Sequence, residues 1–275
     1  MAMLGVPLLS PDQISTSIGF QPRWNVSPSA VMSTVVAKSM TDNAALSSTA
    51  MRWGLEAPWS EPGKTTRRLI NARSETLLSK PTFRDLAKQH RTVVPVNGFY
   101  EWRIDGELRI PYFVQVQKLP AMLLAAVYQP MSADDIAREQ LTARAKAEAK
   151  AQASPQMGFS FDDAPLLAEQ AQREAVTTQA SNKAAETDNQ QSDFTGNFAV
   201  VTTAATNNMA EIHHRAPVMM NVEQAMRWLY TQDPAEIESI TAPESVMDVS
   251  VRRVSQAVNS SRNDGPECIS PVDET

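Results

Sequence analysis

Apolar residues fall in short runs separated by turn residues through most of this chain, a pattern of strands more than of helices. Residues 92–102 (TVVPVNGFYEW) read as a strand, a turn at Asn97-Gly98 and a second strand. Residues 112–116 alternate weakly, 122–127 form a candidate buried strand, 197–203 (NFAVVTT) another, and 249–254 a late one. Residues 222–229 (VEQAMRWL) carry helical spacing, with Asn221 placed as N-cap and Trp228 on the core side. Strands outnumber helices and do not alternate with them regularly, which predicts α+β rather than doubly wound α/β.

The pattern breaks over residues 131–193. These 63 residues hold 15 Ala and 8 Gln and no Trp, Tyr or Cys, a composition unlike that of either flank. Residues 133–153 are strong helix formers with Asp134 and Asp135 near the start, where the helix dipole favours anions. Their apolar stripe is thin, which predicts a solvent-exposed or partly ordered helix. Residues 181–193 (SNKAAETDNQQSD) bury too little apolar surface to order cheaply. The block reads as an insertion in a surface loop, where added length costs little closure entropy. Strand-like segments flank it, so 1–130 and 194–275 are expected to form one domain.

No run of eighteen apolar residues exists, so no membrane span is expected. The start, MAMLGVP, lacks the charged and apolar regions of a secretory signal. A single cysteine, Cys268, excludes an intrachain disulfide framework and a cysteine-rich zinc site. These features point to a cytoplasmic protein, and the chain is expected to be a monomer with no cofactor and no metal. Twenty-five basic against 31 acidic residues give a net charge of −6, which argues against a general nucleic-acid binder. Its distribution changes that picture. The 131–193 block carries 6 basic and 11 acidic residues, and residues 264–275 carry four acidic and no basic ones, so the remainder is +3.

Three stretches combine polar groups with turn signals beyond what a core requires: 69–76 (LINARSET), 97–102 (NGFYEW) and 202–217 (TTAATNNMAEIHHRAP). Asn71 and Arg73, two apart at a strand end, share a face. They offer donors suited to phosphate or carboxylate, or equally to backbone carbonyls. Glu101 sits between Tyr100 and Trp102; desolvation there suits general acid–base work, while simple alternation turns it to solvent. His213 and His214 show no HxxxH or HExxH spacing, so a proton shuttle competes with a plain polar loop ended by Pro217. Trp59, beside Pro58, is either a stacking platform for a base or a buried plug. No GxGxxG, P-loop or GxSxG pattern occurs, which removes the commonest nucleotide-binding and serine hydrolase routes.

Together these pieces resemble the SRAP family, the SOS-response-associated peptidase proteins that shield abasic sites in single-stranded DNA. The resemblance runs collinearly through RWNVSP at 23–28, WGL at 53–55 with Trp59, NARSET at 71–76, GFYEW at 98–102 with PYF at 111–113, IHHRAP at 212–217, and VSQAVN at 254–259. It implies a single SRAP-like domain with a mixed, barrel-like β core and flanking helices, plus the long insertion. In the family an N-terminal cysteine condenses with the aldehyde of an abasic site to a thiazolidine crosslink. By resemblance Asn71, Glu101 and His213 are the catalytic set. Asn71 holds the sugar, Glu101 exchanges protons near the amine, and His213 assists ring opening. Arg73, Arg215, Trp59, Trp102 and Asn25 are the DNA-binding set, and the implied partner is single-stranded DNA with an abasic site.

The family start, Met-Cys-Gly-Arg, is not matched: either Ala2 or Leu4 falls at the cysteine, and Leu4-Gly5-Val6 would replace Cys-Gly-Arg. His214 stands where the family usually has aspartate and Ala216 where it often has methionine. The expectation is therefore abasic-site binding without a stable thiazolidine. The competing expectations are a non-catalytic descendant that binds DNA or a protein, and a peptidase limited to self-processing.

Overall fold

A computed structural model describes residues 23–38, 46–56, 68–116, 121–132, 134–137, 141, 195–245 and 247–272. The chain divides into two compact units, Met1–Pro130 with Thr195–Thr275, and Met131–Phe194. In the second unit, residues 134–137 are helical. The Ser132 hydroxyl donates to the Asp135 carboxylate at 2.6 Å and accepts from the Asp135 N–H at 3.1 Å, so this turn is capped by its own side chains. The rest of residues 133–153, and all of 181–193, lie outside the described residues.

In the first unit the described strands are β1 (Val31–Ala37), β2 (Leu46–Trp53), β3 (Asn71–Arg73), β4 (Arg91–Val96), β5 (Phe99–Asp105), β6 (Leu108–Gln115), β7 (Met122–Pro130), β8 (Gly196–Ala204), β9 (Arg215–Pro217), β10 (Met219–Met220) and β11 (Ser250–Arg253). The described helices are α1 (Pro81–Gln89), the short α2 (Asn207–Ala210), α3 (Val222–Tyr230) and α4 (Pro234–Thr241). The large sheet runs β10-β7-β4-β1-β2-β8-β3, with β9 also on β8, and a small sheet runs β11-β6-β5. β8 pairs in parallel with β2 and β3; the other ladders are antiparallel. The fold is α+β, as the strand-rich pattern predicts. Because β7 also pairs with β8, five strands form a closed circuit. It closes unevenly: β1 meets β2 through seven residue pairs but β4 only through Val35 and Val93.

Strict alternation splits the large sheet into two apolar faces. Val93, Ala125, Val127, Ala199 and Val201 face α1, α3 and α4 in a cluster centred on Trp228, which is fully buried. The intervening Val94, Leu124, Ala126, Phe198 and Val200 pack with Val114 and Val116 of the segment containing β6. Asn221 caps α3 as expected, in a reciprocal pair with Gln224. The buried Arg91 donates to the carbonyls of Ala87, Lys88, Trp228 and Thr231, so one guanidinium ties the ends of α1 and α3 to β4.

The Asn97-Gly98 turn does not fold β4 back on β5. It is a corner that carries the chain from one sheet to the other. A side chain on Gly98 would meet the Phe113 ring at 2.2 Å, so the corner needs glycine. β6 also begins earlier than the weak alternation suggests. Its partner across the Gly106 hairpin recruits the exposed Leu108 and Arg109 by backbone pairing alone.

Candidate functional site

Glu101 is placed by the register of the small sheet. It stands opposite Tyr112, two pairs along from Phe99 opposite Val114 and so on the same face, and Phe99 and Val114 belong to the cluster that meets the large sheet. Glu101 therefore faces the large sheet. Tyr100 and Trp102 face the other way, packed with Phe113, Val254, Val258 and Cys268. Both faces of β5 are covered, which neither simple reading of the alternation anticipates. Burial pushes the Glu101 carboxyl above its ordinary range, while the nearby His213 and a backbone hydrogen bond pull it down.

His213 closes the site from the opposite side. Its Nδ1 lies 3.8 Å from the Glu101 carboxylate. The same nitrogen is 3.0 Å from the Arg215 carbonyl and 3.2 Å from the Arg215 N–H. A protonated Nδ1 donates to that carbonyl and a bare one accepts from that N–H, so the ring is held in either state. Among the described residues nothing bonds Nε2, which leaves it for a ligand. His213 and His214 lie in a loop, and their rings sit 4.4 Å apart in a tilted stack. The chain reaches them through the short α2, whose Met209 carbonyl accepts the His213 N–H at 3.0 Å.

The Arg215 guanidinium forms a two-pronged ion pair with Glu75, and its second nitrogen also reaches the Thr202 carbonyl at 2.6 Å. This hydrogen bond holds the Glu75 carboxyl below its ordinary range, against the effect of burial. Arg215 thus joins β9 to the turn that follows β3, while its Nε is buried with no partner among the described residues. Glu75 carries no assigned role in the NARSET run; an acidic side chain two residues after Arg73 is its only signal in the sequence.

On β3, Asn71 and Arg73 are exposed on one face, with the fully buried Ala72 between them on the other. They stand beside Val200 and Thr202 of β8. With Leu69, Thr76, Lys80 and Phe83 they line an open pocket of about 390 Å³. The structure thus joins Glu101, His213, Arg215 and Glu75 through direct contacts and sets Arg73 beside Thr202, which Arg215 also touches. Asn71 makes no described contact with Glu101 or His213.

The remaining candidates fall elsewhere. Asn25 is buried, and its amide donates to the carbonyls of Val258, Ser260 and Asn263 at 3.0 to 3.1 Å. Its donors are fully engaged in pinning residues 258–263, so it offers none to DNA. Trp102 is half-buried in the outer cluster, and its indole donates to Asn259 at 2.7 Å. Trp59 and the N-terminal segment with Ala2 and Leu4 lie outside the described residues. Among the described residues there is no group of three His, Cys, Asp or Glu side chains able to hold a metal ion. No helix among them is long and apolar enough to cross a membrane.

Comparison with known proteins bears on this arrangement. The model of the SOS response associated peptidase (SRAP) family matches residues 9–155 and 162–261. The chain is 25% identical, over 94% of its own length and 90% of the relative's, to abasic site processing protein YoqW of Bacillus subtilis. It is 27% identical, over 81% of its length, to abasic site processing protein HMCES of Pongo abelii, of which the match spans 56%. A crystal structure of a Bacteroides thetaiotaomicron protein superposes with a TM-score of 0.56 at 19% identity, covering 91% of this chain and 82% of that one, a likeness of fold. With a family model covering most of its length, this chain belongs to the SRAP family.

Proposed function

We propose that this chain binds single-stranded DNA at abasic sites in the response to DNA damage, with Glu101 and His213 as its proton-transfer pair. The observation that carries the reading is the half-buried Glu101 carboxyl facing His213 at 3.8 Å, with the imidazole gripped at Nδ1 by Arg215. The names of the relatives, abasic site processing proteins, support the substrate.

The pair suits opening of the abasic sugar, a cyclic hemiacetal. His213 accepts the proton of the C1′ hydroxyl as the bond from C1′ to the ring oxygen breaks, and Glu101 protonates that ring oxygen. The products are the open-chain aldehyde and a 4′-hydroxyl, so the proton removed by one group is balanced by the proton given by the other. Burial keeps part of the Glu101 population protonated at a pH where an exposed carboxylate is ionised, which is what an acid needs. Arg73, exposed beside Thr202 on β8, supplies a contact for the strand's phosphates.

One observation favours binding without a stable crosslink. The only cysteine in the sequence, Cys268, is fully buried among Phe113, Val254 and Val258, with its sulfur 3.5 Å from the Asn263 carbonyl. A thiazolidine needs a reachable thiol and a free amine on one residue; the Cys268 sulfur is buried and its nitrogen is a backbone amide. The 275-residue chain, incubated with abasic single-stranded DNA and run on a denaturing gel, is expected to leave no heat-stable band. A heat-stable adduct formed without reductant contradicts that expectation.

A further inference from the structure

Tyr112 is 4% exposed, yet among the described residues its hydroxyl has no hydrogen-bond partner. It belongs to none of the three apolar clusters that make up the core, although its neighbours Phe113 and Val114 do. The register puts it directly opposite Glu101 on β5 and Arg253 on β11, and these three share the face turned to the large sheet. Side chains opposite one another on adjacent strands lie about 5 Å apart at Cβ. The Arg103 guanidinium lies over the Tyr112 ring at 5.3 Å and holds it from one side. A buried hydroxyl without a partner costs a folded protein stability, and its retention asks for a ligand atom that completes it.

Resting on the proposed reading of the site, we propose that Tyr112 is a specificity-determining residue whose hydroxyl bonds the C1′ oxygen of the abasic sugar. That oxygen is the group an abasic nucleotide has and an intact one lacks, because the base occupies C1′ in the latter. The position beside Glu101 is where the ring-opening chemistry places C1′. The depth of burial adds a steric filter, since a hydroxyl this covered is reached by a bare sugar more readily than by a nucleotide carrying its base. Sites built to hydrogen-bond a substrate oxygen discriminate strongly against analogues that lack it.

The test is Tyr112→Phe, which keeps the ring under Arg103 and removes only the hydroxyl. Equilibrium binding is measured for three single strands that differ at one position: abasic, intact, and a tetrahydrofuran analogue without the C1′ oxygen. Thermal melting is measured alongside. The expected result is a loss of about tenfold on abasic DNA, one hydrogen bond's worth. Affinity for the intact and tetrahydrofuran strands stays unchanged, and the melting temperature is unchanged or higher. Equal losses on all three strands, or a marked fall in melting temperature, make the hydroxyl structural and overturn the proposal. Wild-type affinity of Tyr112→Phe for abasic DNA overturns it as well. A wild-type chain that does not distinguish abasic from intact DNA overturns the parent reading, and this inference with it.

Discussion

Glu101 shows how one carboxylate is tuned by its place between two sheets. Its carboxyl is pushed up chiefly by burial, so the folded chain holds the proton more tightly than the unfolded chain does. The associated stability is present at low pH and is lost as pH rises through the raised value. Glutamine at this position is neutral throughout and escapes that loss. Glu101→Gln is therefore expected to gain melting temperature relative to wild type between pH 4 and pH 7, by roughly 2 °C or more. A constant difference across that range contradicts the burial argument. Residue types were legible in the sequence here: the amide at 71, the carboxylate at 101 and the imidazole at 213 stand out from any core. Their directions were not. Which face Glu101 takes is decided by the Gly106 hairpin that pairs it with Tyr112, and by residues 254–268, which cover the other face. Asn25 escaped for a related reason. A polar side chain in a polar run gives no sign that residues more than two hundred positions away present three carbonyls to it.

At the scale of elements, strands with strong apolar runs were legible. The 122–127 and 197–203 runs lie within β7 and β8, and the 222–229 pattern lies within α3. β1 and β2 carry weaker patterns, and seven cross-strand pairs hold them together. The 131–193 block enters between β7 and β8, which are themselves an antiparallel pair running from Pro130 beside Gly196 to Ala126 beside Val200. The two strands thus meet the geometry of a hairpin whatever connects them. Replacing 131–194 with a short Asn-Gly turn is expected to leave the melting temperature of the remainder within roughly 3 °C of wild type. A remainder that fails to fold contradicts the reading of 131–193 as an insertion.

At the scale of the whole molecule, charge is distributed unevenly along the sequence. The acidic excess belongs to residues 131–193 and 264–275, and what is left is +3. Part of the acidic tail is structural, because Asp264 accepts from the backbone N–H groups of Trp24 and Asn25 and pairs with Arg23 at 2.7 Å. A mildly basic body favours DNA but does not by itself separate damaged from undamaged strands, since phosphate contacts carry no such information. On the proposed function, that distinction comes from the Glu101 and His213 pair and its surroundings. The direct measurement is an equilibrium titration of the purified 275-residue chain, at one fixed salt concentration, with a labelled single strand carrying one abasic site and with the same strand intact. The abasic strand is expected to bind at least about tenfold more tightly, the equivalent of one good hydrogen bond. Equal affinity for the two strands, or binding to neither, contradicts the account.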